Sequence, residues 1–399
     1  MPATEKLYFE DPARMEFEAR VVERRVVDGL PAIVLDRTCF YPESGGQPWD
    51  LGRLGGAPVL RVIDEKGTIL HVLEREAPGE MLRGEVDWPR RFDHMQQHSG
   101  QHILSQAFIE EARGETRSFH LGPEASTLEI GLAAADDGLI DRVEWRANAV
   151  VFEDREVRTS FVPSELIGEV PLRRPPKVTG TIRVVEVAGF DFSACGGTHV
   201  RRTGEIGLIK ILGWERIRGN LRFAFVCGGR ALAACQIRTR IVRELAGRFN
   251  VLPADLPAQV ERLAGEAKTL KKSLRTWEEA AAEREAADLA AAAAGERILV
   301  RVFDDRRPES VRALALGLVR RGPFAALFAA RGPERLRIFL ARAEGLDVDL
   351  RTLVGLVAPL VSGKGGGGPS LVEIAGDPKA DAGAALAEAA AAVRAALAD

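Results

Sequence analysis

The chain predicts an α+β protein of more than one domain. Three observations carry this: short runs of alternating apolar and polar residues near the N-terminus, a long heptad-spaced stretch in the middle, and an α/β pattern ending in an alanine-rich helix. At 399 residues there is room for two or three separate cores. Residues 1–88 alternate as in RMEFEARVVE and PAIVLDRT and are broken often by Gly and Pro, which predicts a small β-rich, barrel-like domain. Residues 89–230 combine a helix over Gln97 to Ile109, marked by Ile103, Leu104 and Phe108, with strands such as TGTIRVVEVAG and a cysteine-bearing loop, an α+β domain. In 231–295, Leu256, Val260, Leu263, Ala267, Leu270, Leu274, Trp277 and Ala281 alternate steps of four and three, the seam of a helical coiled-coil linker. That seam predicts a homodimer through 256–281, with an antiparallel fold-back inside one chain as the alternative. Residues 296–399 form a compact α/β domain closed by AGAALAEAAAAVRAALA.

Composition excludes several classes. No apolar run approaches about 18 residues, and MPATEKLYFEDPAR mixes charges of both signs, so neither a membrane span nor a secretory leader is expected and the location is cytoplasmic. Four cysteines favour a reducing compartment, with Cys39, Cys227 and Cys235 expected as buried thiols.

The strongest chemical signal is a pair of short donor motifs. His98 and His102, four apart on the predicted helix, project from one face about one turn apart. Cys195 and His199 bracket Gly196-Gly197, which lets the backbone turn both side chains toward one point. The chain has only six histidines and four cysteines, and the two pairs use four of these ten residues. Imidazole and thiolate are what tetrahedral Zn²⁺ prefers, so one Zn²⁺ per chain is predicted at His98, His102, Cys195 and His199. Four protein donors suit a structural zinc, whereas a catalytic zinc keeps a position for water or substrate; spacing leaves both open.

RFDHMQQHSGQHILSQAF followed by DFSACGGTH resembles the editing domain of alanyl-tRNA synthetases, and TCFYPESGGQPWDLG (Thr38 to Gly52) resembles the glycine-rich motif upstream of it. SGKGGGGPSLVEIAGD (Ser362 to Asp377) is similar to the signature of the C-terminal DHHA1 domain of those enzymes. The glycine-rich motif lies at the start of the chain, so the resemblance implies a free-standing alanyl-tRNA editing protein of the long AlaX type, without aminoacylation. It implies a zinc-dependent deacylase acting on tRNA(Ala) mischarged with serine or glycine. Rejecting alanine requires a group that hydrogen-bonds the serine hydroxyl, and Thr38 is the candidate. Gln47 is a candidate for the ribose or ester, Gly45 and Gly46 for close backbone approach to substrate, and His120, where relatives often carry glutamine, for proton transfer or a hydrogen bond. Asp93 is a candidate helix cap or support for a zinc histidine, while His71 and His94 read as structural.

Net charge is −3, yet Arg301 to Gly345 holds ten arginines, no lysine and five acidic residues. Arg306, Arg307, Arg320 and Arg321 are therefore candidate tRNA-backbone contacts, as are the amides of Gly365, Gly366 and Gly367. Arg173, Arg174, Lys177 and Arg183 form a second basic group near the metal pair. Two other classes stay open: an RNA-binding protein with a structural zinc and no hydrolysis, and a zinc-dependent esterase or amidase for small molecules.

Overall fold

The computed structural model describes residues 3–176, 179–293, 295–304 and 306–398, and divides into two compact units, Met1–Leu245 and Ala246–Asp399. The first opens with β1 (Glu5–Lys6), α1 (Leu7–Glu10), β2 (Glu16–Val27), β3 (Leu30–Leu35), β4 (Arg37–Thr38), β5 (Gly52–Leu54), β6 (Ala57–Glu65), β7 (Thr68–Leu73) and β8 (Met81–Val86). Six of these strands close into a barrel in the order β2-β3-β7-β6-β5-β8. The alternation legible in EFEAR becomes Phe17 and Ala19 facing inward and Glu16, Glu18 and Arg20 facing out. Phe17, Ile33, Leu35, Phe40, Val59, Ile69 and Leu73 fill the interior.

The chain continues through α2 (Trp88–Ala112), β9 (Thr116–Leu121), β10 (Ser126–Ile130), α3 (Asp137–Phe152), β11 (Val157–Pro163), β12 (Thr181–Val187), β13 (Asp191–Ala194), β14 (Ile209–Ile217), β15 (Asn220–Cys227) and α4 (Gly228–Phe249). Helix α2 starts nine residues before the predicted Gln97. Asp87 caps it by accepting from the Arg90 amide, Pro89 sits in its first turn, and Arg113 ends it in the left-handed conformation. Asp93 therefore does not cap the helix; it pairs with Arg230 at 2.5 Å. Helix α2 is buried along most of its length, with Ile103, Leu104 and Phe108 packed against α3 and the sheet β14-β15-β10-β9. A second sheet, β11-β12-β13, carries the cysteine loop at the end of β13.

The second unit holds α5 (Leu256–Ala292), β16 (Ile298–Asp304), α6 (Pro308–Val319), β17 (Ala325–Arg331), β18 (Leu336–Arg342), α7 (Val354–Leu360), β19 (Lys364–Gly368), β20 (Leu371–Gly376) and α8 (Ala382–Ala398). Its sheet runs β16-β17-β18-β20-β19 with helices on both faces. In β17, Ala325, Leu327 and Ala329 join the α7–α8 core and Ala326, Phe328 and Ala330 join the α5–α6 core, which is why AALFAA reads as a continuous apolar run.

The expected segment 231–295 is two helices, and the boundary between the units falls inside α4. The seam is helical throughout but exposed: Val260, Leu270 and Trp277 are 55%, 69% and 74% exposed. Burial begins just past it, where Ala282 and Ala286 pack beneath α6.

Candidate metal centre

His98, His102, Cys195 and His199 come together, their ligating atoms all within 4.8 Å of one another. Helix α2 supplies the first two, and the turn after β13 supplies the others. A Cβ at Gly197 would run into the His98 ring, so only glycine lets this loop close over the helix. Each imidazole is held through its Nδ1. His98 donates to Gln47 Oε1 at 2.8 Å, His102 to Asp191 Oδ2 at 3.2 Å, and His199 Nδ1 lies 3.1 Å from Ser99 Oγ. An amide oxygen and a carboxylate only accept, so the protons of His98 and His102 sit on Nδ1 and their bare Nε2 atoms face the cluster. Cys195 Sγ lies 3.4 Å from His98 Nε2 and 3.3 Å from His199 Nε2. The three histidines are buried and Cys195 is half-buried, so the cluster meets its surroundings at the thiol corner.

The electrostatics favour a ligating set. Burial opposes a charged Cys195, yet His98 and His199 hold its pKa well below the ordinary thiol value. Burial pushes His199 down to about 3, keeping it neutral. His102 is the exception: burial disfavours its charged form, but the Asp191 hydrogen bond and the Cys195 thiolate outweigh this and raise it, so a metal there has to displace a proton. By contrast, burial pushes Cys39 up to about 11 and Cys227 higher still, as expected of plain core thiols. Three nitrogens and one thiolate thus form the one group of this kind among the described residues, and it could hold a metal ion.

The glycine motif is built onto the same centre. Gly45 and Gly46 take φ of 57° and 85° in a tight turn closed by Ser44 and Gln47, and the Gly46 carbonyl accepts from Leu121 at 3.0 Å. Gln47 turns its amide inward: Oε1 accepts from His98 and from the Thr198 amide, and Nε2 donates to Thr198 Oγ1 at 2.8 Å. These bonds hold the His98 ring in place. Arg91, fully buried on α2, pairs with Asp50 and donates to the carbonyls of Pro12 and Cys39, while Asp50 accepts from the Tyr41 amide. This fastens the motif to the ligand helix. Thr38 is also buried: its hydroxyl lies 2.8 Å from His71 Nε2 and accepts from the Phe40 amide. His71 Nδ1 donates to the Ile33 carbonyl, so Nε2 is the acceptor and Thr38 must spend its proton there, leaving only acceptor capacity for another partner.

His120 is not brought to the centre. It is exposed on β9, opposite Thr127, while its neighbour Phe119, on the other face, lies 5.4 Å from the His98 ring. Arg173, half-buried, and Arg183, buried, are supports: Arg173 donates to the His102 carbonyl and lies 3.2 Å from Asp191, and Arg183 holds the carbonyls of Cys195 and Gly197. Arg174 donates to the Thr116 carbonyl, and Lys177 lies outside the described residues. In the second unit, Arg306 pairs with Glu285, Arg307 with Glu278, and Arg320 and Arg321 with Glu283, all along α5. Gly365, Gly366 and Gly367 lie on the exposed edge strand β19; a Cβ at Gly365 would meet the Glu373 carbonyl at 2.5 Å. Ser99, Asp191 and Thr198 were not anticipated. Asp191 was legible, because Asp191, Ser193 and Cys195 alternate and so share one face.

Residues 182–223, which include Cys195 and His199, match the family described as the threonyl and alanyl tRNA synthetase second additional domain. The alanyl-tRNA editing protein AlaX-L of Pyrococcus horikoshii is 30% identical over 92% of this chain and 93% of its own length. The alanine--tRNA ligase of Archaeoglobus fulgidus is 33% identical over 92% of this chain, which spans 41% of that ligase. Among solved structures, the C-Ala domain of Aquifex aeolicus alanyl-tRNA synthetase aligns with 26% of this chain and 91% of its own at 21% identity, with a TM-score of 0.23 that carries no argument. With 30% identity across nearly the full length of both chains, this chain belongs to the family of alanyl-tRNA editing proteins.

Proposed function

We propose that this chain is a trans-editing deacylase that hydrolyses the ester between serine, and secondarily glycine, and the terminal ribose of tRNA(Ala), with one Zn²⁺ held by His98, His102, Cys195 and His199. The observation that carries this reading is the Nδ1 anchoring of all three histidines beside a thiol corner that is not closed over. When bound, the ion supplies Lewis acidity toward a water or the ester carbonyl, or a fixed point that orients the substrate. In the reaction a water oxygen bonds to the ester carbon, the bond from that carbon to the ribose oxygen breaks, and a water proton ends on the ribose oxygen. An ester is already activated, so positioning supplies much of what is needed.

Thr38 supports the choice of serine. As an acceptor fixed by His71, it can take the proton of a serine hydroxyl and is left unmatched when alanine enters. Such sites discriminate through hydrogen bonds that the smaller substrate cannot make. In the second unit the open backbone of Gly365, Gly366 and Gly367 suits RNA better than the arginine pairs do, since Glu278, Glu283 and Glu285 already engage those arginines. The exposed seam of α5 fits a second copy of the chain, which light scattering across a dilution series tests: a monomer at micromolar concentration removes the dimer.

One observation favours the RNA-binding alternative with a structural zinc, namely that four protein donors converge. Side-by-side hydrolysis of seryl-, glycyl- and alanyl-tRNA(Ala) separates the two. Deacylation that is fastest for serine and spares alanine is expected, and Thr38→Val should narrow the gap between them. Binding without release of any amino acid would establish the alternative.

A further inference from the structure

The sheet that delivers Cys195 also presents an aromatic surface in line with it. In β11-β12-β13 the register pairs Phe161 with Arg183, and the Cys195 amide donates to the Arg183 carbonyl at 3.0 Å, so Phe161, Arg183 and Cys195 form one row across three strands. Residues directly opposite one another share a face. The guanidinium of Arg183 is buried under the Phe9 ring, 5.0 Å from its centre, and Phe9 meets Phe161 edge-on at 6.2 Å. Phe161 itself is 53% exposed on an edge strand whose residues are mostly exposed. It is thus a large ring held at a fixed angle, open on its other side, and two strand spacings, about 10 Å, from the thiol.

We propose that Phe161, braced by Phe9, is the stacking platform for the nucleobase of the 3′-terminal nucleotide that carries the scissile ester. This rests on the deacylase reading. A group bound at the thiol corner leads along the row toward Phe161, and one nucleoside covers that span. Unpaired 3′ ends offer their base faces to aromatic side chains, and the contact needs no hydrogen-bond readout. Arg183 takes no part in contacting the base. It positions the cysteine loop and carries the Phe9 ring that sets the angle of the platform.

The test uses the zinc-loaded full chain and tRNA(Ala) with 2-aminopurine at its 3′ terminus. Wild type should quench the probe, and Phe161→Ala should abolish the quench and raise KM for seryl-tRNA(Ala) about tenfold with little change in kcat. Phe161→Trp should restore both. Hydrolysis of serine methyl ester, which lacks a base, should be the same in all three proteins. A Phe161→Ala protein that quenches and binds like wild type would overturn the platform while leaving the deacylase intact. A matching loss on the methyl ester would also overturn it, by showing that Phe161 supports the metal loop. If wild type releases no amino acid from any charged tRNA, the deacylase reading fails first and the platform falls with it.

Discussion

Arginine does different work in the two units. In the second, Arg306, Arg307, Arg320 and Arg321 lie at the surface in ion pairs with carboxylates of α5. In the first, Arg91 and Arg183 are buried and Arg173 is half-buried, and all three donate to backbone carbonyls around the candidate metal residues. Both groups contain doublets in sequence, Arg306-Arg307 and Arg320-Arg321 in the first and Arg90-Arg91 and Arg173-Arg174 around the second, so sequence alone does not separate them. Surface pairs are worth roughly 0–1 kcal/mol, whereas breaking a buried pair costs about 3–5 kcal/mol because it strands a desolvated charge. Doublets in sequence are therefore a poor guide to which arginines hold the candidate metal centre together.

The largest effect expected from this contrast is at Arg91. Arg91→Met should destabilise the first unit by about 3–5 kcal/mol, read by denaturant unfolding, because Asp50 is left buried without its partner. An effect under about 1 kcal/mol would erase the distinction between buried and surface arginines.

Next in size is a dependence on pH. Burial lowers His71 to about 4, below its unfolded value of about 6.5, so its neutral form stabilises the fold at neutral pH. The unfolded chain binds the extra proton as pH falls, so up to about 3 kcal/mol is lost between about pH 6.5 and 4. His94, also lowered by burial to about 4, adds to the same loss. Unfolding midpoints measured at pH 7 and 4.5 should fall in wild type and fall less in His71→Gln; equal falls would remove His71 as a cause.

Smaller again is the loss at Asp191. Asp191→Asn keeps the shape but weakens the anchor of His102, and metal affinity in a chelator competition should drop about 10–100-fold. At the bottom of the scale, Arg320→Ala should change stability by less than about 1 kcal/mol and leave metal affinity untouched. A change in salt dependence of tRNA binding in that variant would return the second-unit arginines to the RNA surface.

Much of this was legible in the chain, and what was not has physical causes. The barrel strands, the helix of His98 and His102 and the four residues that could hold a metal follow from periodicity and donor spacing, which are local properties. The partners of those donors are not local: Gln47 lies 51 residues from His98, and Ser99 lies 100 from His199. Gln47 reads in sequence as a substrate contact because a polar side chain beside a glycine turn is equally suited to either task, and only the fold shows it turned onto His98 and Thr198. His120 was misjudged by one step of strand alternation, which places Phe119 beside the metal residues and His120 away from them. The seam of α5 is helical as expected, but a periodic apolar stripe does not say what covers it, and among the described residues Val260, Leu270 and Trp277 stay exposed.

The most direct test is hydrolysis of seryl-tRNA(Ala) beside alanyl-tRNA(Ala) by wild type, by Cys195→Ala and by wild type stripped of metal with a chelator. Rapid release of serine that spares alanine, is lost in both treated samples and returns when zinc is restored to the stripped protein is the predicted result. Undiminished release by the stripped protein, or none by the zinc-loaded wild type, would contradict a metal-dependent deacylase built on His98, His102, Cys195 and His199.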